Sequence, residues 1–140
     1  MRRVIPSLIA VPLLLLAFAG ATAAGSPLSP FSGSWAGPDP GDGSQLTATF
    51  SGGPRMAIDY TDDVATAACA DASDQRFFAH LVGVANGDEL VSVMRTARCG
   101  SQPLPFRGLE ITWWFDGGAT DSPADDTLTN SFGEVFTRAG

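Results

Sequence analysis

No lysine occurs among the 140 residues; the eight basic side chains are all arginines and face 15 acids, for a formal net charge of -7. A surface with that balance repels phosphate backbones and anionic bilayers, so no nucleic-acid partner is expected. There is no glycine-rich phosphate loop and no basic patch interleaved with aromatics. Histidine occurs once, at His80, and cysteine twice, at Cys69 and Cys99. One imidazole and two thiols fall short of the four ligands of a structural zinc site. In the turn-rich run around Pro38 and Pro40, Asp39 and Asp42 supply two of the six to eight oxygens that a calcium ion needs. Neither a metal nor a cofactor is expected.

Catalysis is scarcely provided for. A serine triad would have to use His80, which lies mid-strand between Ala79 and Leu81, and no Gly-x-Ser-x-Gly elbow accompanies it. The paired acids Asp62-Asp63, Asp88-Glu89 and Asp125-Asp126 sit in turns, as solvated carboxylates do. The chain reads as non-enzymatic.

Long apolar runs are also missing, apart from residues 4–18, which Pro6 and Pro12 interrupt. That run is too short for a membrane span. Arg2 and Arg3 precede it, and the small residues Ala19-Gly20-Ala21 and Ala21-Thr22-Ala23 follow, the pattern of a secretory signal peptide over residues 1–23. Cleavage after Ala21, Ala23 or Ala24 satisfies the small-residue rule and leaves a charge of about -9. The product is expected to be secreted or periplasmic, with no membrane span in its mature form. Residues 24–32, with Pro27 and Pro30, form a flexible lead-in, and residues 33–140 one domain. In an oxidising compartment Cys69 and Cys99 have only each other, and their disulfide would close a loop worth about 3–4 kcal/mol.

Amphipathic segments of helical length are absent too. What is present is alternation of period two. Leu109, Ile111, Trp113 and Phe115 alternate with Glu110, Thr112 and Trp114, the pattern of a half-buried strand. Trp113 and Trp114 must then face opposite ways, one into the core and the other outward. Residues 45–51 alternate Leu46, Ala48 and Phe50 against threonines, Gly52-Gly53-Pro54 turns the chain, and Met56, Ile58 and Tyr60 continue on the far side. Residues 64–74 are compatible with a short helical turn or an irregular connection, and residues 100–107 with a stiff connection. Residues 127–138 read as a closing hairpin.

Asn86-Gly87 is the strongest hairpin signal in the chain. A two-residue turn there sets Val82 opposite Val91 and Leu81 opposite Ser92. One face then carries Phe77, Ala79, Leu81, Gly83, Leu90, Ser92, Met94 and Thr96; the other carries Phe78, His80, Val82, Val84, Glu89, Val91, Val93 and Arg95. Charges gather on the second face, which makes the first the interior. About eight short strands at regular spacing predict an all-β, eight-stranded antiparallel up-and-down β-barrel, with a β-sandwich as the alternative.

Gly33-Ser34-Trp35 at the first strand resembles the Gly-x-Trp opening of the calycin barrels, the lipocalin and avidin-like families. That resemblance implies an Arg from the last strand packed over the tryptophan, a role that falls to Arg138 opposite Trp35. The hairpin Asp126-Thr127-Leu128-Thr129-Asn130-Ser131-Phe132-Gly133 is similar to that of small exported bacterial β-proteins of uncharacterised role. The Thr-Asp-Tyr element of lipocalins is absent, and avidin's biotin contacts have no counterparts here.

An eight-stranded barrel holds either a filled core or one small ligand. The leading expectation is a secreted, non-catalytic barrel binding a small apolar molecule. The expected contacts are Phe77, Leu81, Ser92, Met94 and Trp113, with Gly83 and Ala79 leaving room and Ser92 and Thr96 giving hydroxyls. The alternative is a filled structural or protein-interaction domain without a small-molecule ligand.

Overall fold

Alternating strands that each bury one face can hide every edge only by closing on themselves, and this chain does so. The computed structural model describes residues 29–118 and 122–140. The expected signal peptide and its cleavage sites lie outside the described residues. The strands are β1 (Gly33–Pro38), β2 (Gln45–Gly52), β3 (Arg55–Asp62), β4 (Phe77–Asn86), β5 (Glu89–Cys99), β6 (Gln102–Leu104), β7 (Glu110–Asp116), β8 (Thr127–Asn130) and β9 (Val135–Arg138). All pairings are antiparallel, and the ring runs β1-β2-β3-β4-β5-β7-β8-β9 back to β1. The result is a closed eight-stranded up-and-down barrel, not a sandwich, an architecture compatible with a calycin-like fold. β6, in the stretch expected to be a plain connection, pairs with the end of β5 outside this ring.

The seam between β1 and β9 sets Trp35 opposite Arg138 and Ala36 opposite Thr137. It needs Gly37, where an added Cβ would lie 2.0 Å from the Val135 carbonyl oxygen. Among the described residues no α-helix occurs, and no helix is long and apolar enough to cross a membrane. Residues 63–76 form a chain of turns, one of them a single helical turn closed by the Cys69 N–H on the Ala65 carbonyl at 2.8 Å. The Cys69–Cys99 disulfide ties it to β5, with Cα atoms 5.6 Å apart.

Two details of the β4–β5 hairpin differ from expectation. Asn86 pairs with Glu89, so the turn is Gly87-Asp88, with Gly87 at φ 63°. Val82 therefore faces Val93 and Leu81 faces Met94. The shift is two residues, an even number, so the inward and outward faces keep their membership. The second difference is a bulge: His80 pairs with Thr96 and Leu81 with Met94, leaving Arg95 extra. One extra residue flips the alternation beyond it, so Thr96 is exposed rather than inward and Ala97 is buried instead. Gly83 leaves no room, because a Cβ there would stand 2.8 Å from both Leu90 Cδ2 and the Val91 oxygen.

One end of the barrel is solid. Phe31, Trp35, Met56, Leu90 and Leu128 are fully buried there, and Phe31 stacks near Phe50 and Phe115. The end of the lead-in is thus part of the core rather than a free tether, since Trp35 Nε1 donates to the Phe31 carbonyl at 2.8 Å. Large aromatics buried at about 25 cal/mol per Å² make this half a substantial contributor to stability.

Candidate functional site

The other end is open, and the same alternation that fills the base lines its mouth. A cavity of about 590 Å³ lies between the β1–β2 loop, the 63–76 connection, the segment before β7 and the β8–β9 hairpin. Phe77, Ala79, Leu81, Met94 and Ile111 form one wall from β4, β5 and β7. Phe106, Leu109 and Phe132 stand at its rim, each about half exposed. The facing wall is polar: Tyr60 and Asp62 from β3, Asp39 and Asp42 from the β1–β2 loop, and Glu134 beside β9.

Of the residues expected to touch a ligand, Phe77, Leu81 and Met94 do line this cavity. Ser92 and Trp113 are not among the lining residues. Both are fully enclosed, with Trp113 Nε1 donating to Ser92 Oγ at 3.0 Å and Ser92 Oγ donating to the Ile111 carbonyl at 2.9 Å. The serine hydroxyl is thereby consumed within the core. The indole of Trp113 packs against Phe50, Phe136 and Tyr60, one layer deeper than the mouth. Trp114 faces outward, its Nε1 3.2 Å from Glu89 Oε2. His80 also faces outward, 2.9 Å from Asp59 Oδ1, and takes no part in the cavity.

The polar wall was missed in the sequence, although parity was there to find it. Asp62 continues the inward series Met56, Ile58, Tyr60, and Glu134 lies two residues before the inward Phe136. Glu134 Oε1 accepts from the Tyr60 hydroxyl at 3.0 Å, and its Oε2 accepts from Asn130 Nδ2 at 2.6 Å. Asn130 Oδ1 in turn accepts from the backbone N–H groups of Phe132 and Glu134, which fixes the hairpin tip. Burial pushes the Glu134 carboxyl above the usual carboxylate range, against the pull of these two donors. Burial, then the neighbouring Glu134 charge, pushes the Tyr60 phenol well up, so it remains a donor at neutral pH.

No protein-family model, curated protein or solved structure matches this chain. The site must therefore be read from its own chemistry. Among the described residues, no three histidine, cysteine or acidic side chains form a set that could hold a metal ion. An apolar wall facing a few convergent polar groups is the ordinary composition of a small-molecule site, and about 300–1,000 Å³ is the ordinary size.

At the solid end Arg138 has three anchors. Its Nε donates to Asp126 Oδ2 at 2.7 Å, and Nη1 and Nη2 donate to the carbonyls of Ser32 and Pro30, each at 2.8 Å. The guanidinium so held closes the base of the barrel beneath the cavity.

Proposed function

We propose that this chain is an exported, non-catalytic β-barrel that binds a small, largely apolar ligand at its open end. The observation that carries the reading is the 590 Å³ cavity, walled by Phe77, Leu81, Met94 and Ile111 and rimmed by half-exposed Phe106, Leu109 and Phe132. Exposed apolar rims around a concavity mark sites of contact. The solid base supports the same reading, because a rigid half-barrel keeps the mouth preformed. The calycin-like assignment rests on Gly33-Ser34-Trp35 and on the Arg138 guanidinium, whose carbon lies 4.3 Å from the centre of the Trp35 ring. Export is supported by the composition of residues 1–23 and by the disulfide.

A neutral naphthylamine dye, N-phenyl-1-naphthylamine, tests this reading through its rise in emission on entering an apolar site. Saturable uptake is expected, with affinity reduced at least about 10-fold by Ala79→Phe, which fills the cavity. No saturable uptake, or uptake that Ala79→Phe leaves unchanged, would overturn it. In that case the filled structural or protein-interaction domain takes its place, a reading favoured by Trp114 and Val84 exposed on the outer face of the barrel.

A further inference from the structure

The two walls of the cavity differ in kind because of the strand order. Around the ring, β4, β5 and β7 are consecutive, as are β3, β2, β1 and β9. The first arc gives the apolar wall, and the second gives Asp39, Asp42, Asp62, Glu134 and the Tyr60 hydroxyl. Among the described residues, no arginine or histidine lines the cavity to balance the four carboxylates.

Asp62 is the residue that makes the imbalance informative. It is 6% exposed at the end of β3. Both of its hydrogen bonds fall on Oδ1, from Ser44 Oγ at 2.8 Å and from the Val64 N–H at 3.0 Å. Among the described residues, Oδ2 accepts no hydrogen bond and Asp62 has no ion-pair partner, and Oδ2 keeps accessible surface in a residue that lines the cavity. A largely buried carboxylate with one free, reachable oxygen is a ready acceptor for a charged donor. The other ionisable groups of the polar wall offer it no counter-charge, since Asp39, Asp42 and Glu134 are acids and Tyr60 is a phenol. Their mutual influence is visible at Glu134, where Asp39 and Asp62 both oppose ionisation. Arg76 is engaged by Asp74, and Arg138 by Asp126 at the far end of the barrel.

We infer that the missing counter-charge is supplied by the ligand: the open end selects an amphipathic ammonium ion, its N–H donors set against Asp62 and the Asp39–Asp42 loop and its hydrocarbon body against Phe77, Leu81 and Met94. This inference rests on the reading of the open end as a small-ligand site and adds the class of ligand. It assigns the charged group to the β3 side and the hydrocarbon to the β4–β5–β7 side. A fatty acid would instead bring a fifth carboxyl group into a cavity already lined by four.

The test compares decylamine, decanol and decanoate at neutral pH, below their micellar concentrations, by displacement of the neutral naphthylamine dye. Decylammonium is expected to bind at least about 10-fold more tightly than decanol, and decanoate more weakly still. Asp62→Asn keeps the Oδ1 acceptor for Ser44 and Val64 while removing the charge, and is expected to erase most of the amine preference without weakening decanol. Asp42→Asn, on the exposed loop with its Ser44 N–H contact retained, is expected to reduce the preference in part and guards against a folding defect in the buried variant. If decanol or decanoate binds as well as decylamine, the site stands and the inference falls. If the preference survives both substitutions, it belongs to general attraction by an acidic surface, and the inference again falls. If the dye itself does not bind, the small-ligand reading fails first.

Discussion

The guanidinium carbon of Arg138 lies 4.3 Å from the centre of the Trp35 indole, across the seam where the last strand meets the first. Two residues separated by nearly the whole domain thus seal the base of the barrel. The arginine is three-quarters buried and its partner Asp126 more so. Removing one partner of such a pair strands the other charge, in addition to the lost stacking. Arg138→Ala is expected to destabilise by about 3 kcal/mol. Arg138→Lys should recover only part of this, because an ammonium cannot reproduce the planar fork that reaches Pro30, Ser32 and Asp126 together. Urea unfolding of the two variants checks both statements; an alanine variant within 0.5 kcal/mol or so of the native chain would refute the sealing role.

Glu134 gives a pH dependence of definite sign. Its folded pKa is raised above the ordinary 4.5, mainly by burial, so the fold favours the protonated form. The associated stability is complete below pH 4.5 and is lost as pH rises through the folded pKa. Glu134→Gln can keep the geometry, its carbonyl facing Asn130 and its amide facing the Tyr60 oxygen. Relative to the native chain, this variant is expected to be more stable at pH 7 than at pH 4. Asp74, held down to about 2 chiefly by its hydrogen bond from Arg76, acts in the opposite sense. Its contribution is present above 3.8 and is lost only as pH falls towards 2, outside that window. A stability difference between variant and native chain that is constant from pH 4 to pH 7 would contradict the assignment.

The disulfide closes a 30-residue separation and holds the 63–76 connection against β5, beside the cavity wall. Replacing both cysteines by serine is expected to lower stability by about 3–4 kcal/mol. Hydrogen exchange should accelerate first at the amides of Ala65 and Cys69, whose bonds to Gln75 and Ala65 carbonyls belong to that connection. Uniform acceleration across β1 and β2 as well would show that the bond supports the whole barrel instead.

Gly83 sits where β4 crosses Leu90 and Ser92 with no space for a methyl group. Gly83→Ala is expected to cost about 1–3 kcal/mol through overpacking, without altering dye affinity in the folded fraction. Thermal unfolding alongside the dye titration measures both.

Much of the barrel was legible because parity is robust. The hairpin register moved by two residues, yet Phe77, Leu81 and Met94 stayed inward, as an even shift must leave them. The bulge at Arg95 was not legible, because nothing in Met94-Arg95-Thr96 distinguishes a bulged residue from a paired one. Its consequence was local, the reversal of Thr96. Gly83 reads as space because the sequence shows a missing side chain but not the Leu90 side chain that occupies its place. The cavity's acidic wall was hidden for a different reason. Asp62 and Glu134 look like turn acids beside Asp63 and Gly133, and only the closure of β9 onto β1 brings their loops together over one mouth.

The central claim is that the open half of the barrel, and not the solid half, receives an apolar ligand. The methionines permit a direct measurement, since Met94 lines the cavity while Met56 is fully buried in the base. In a methyl NMR titration with N-phenyl-1-naphthylamine, the Met94 ε-methyl resonance is expected to shift saturably and the Met56 resonance to stay in place. A Met94 methyl that does not respond, or that moves only together with Met56, would contradict binding at the open end.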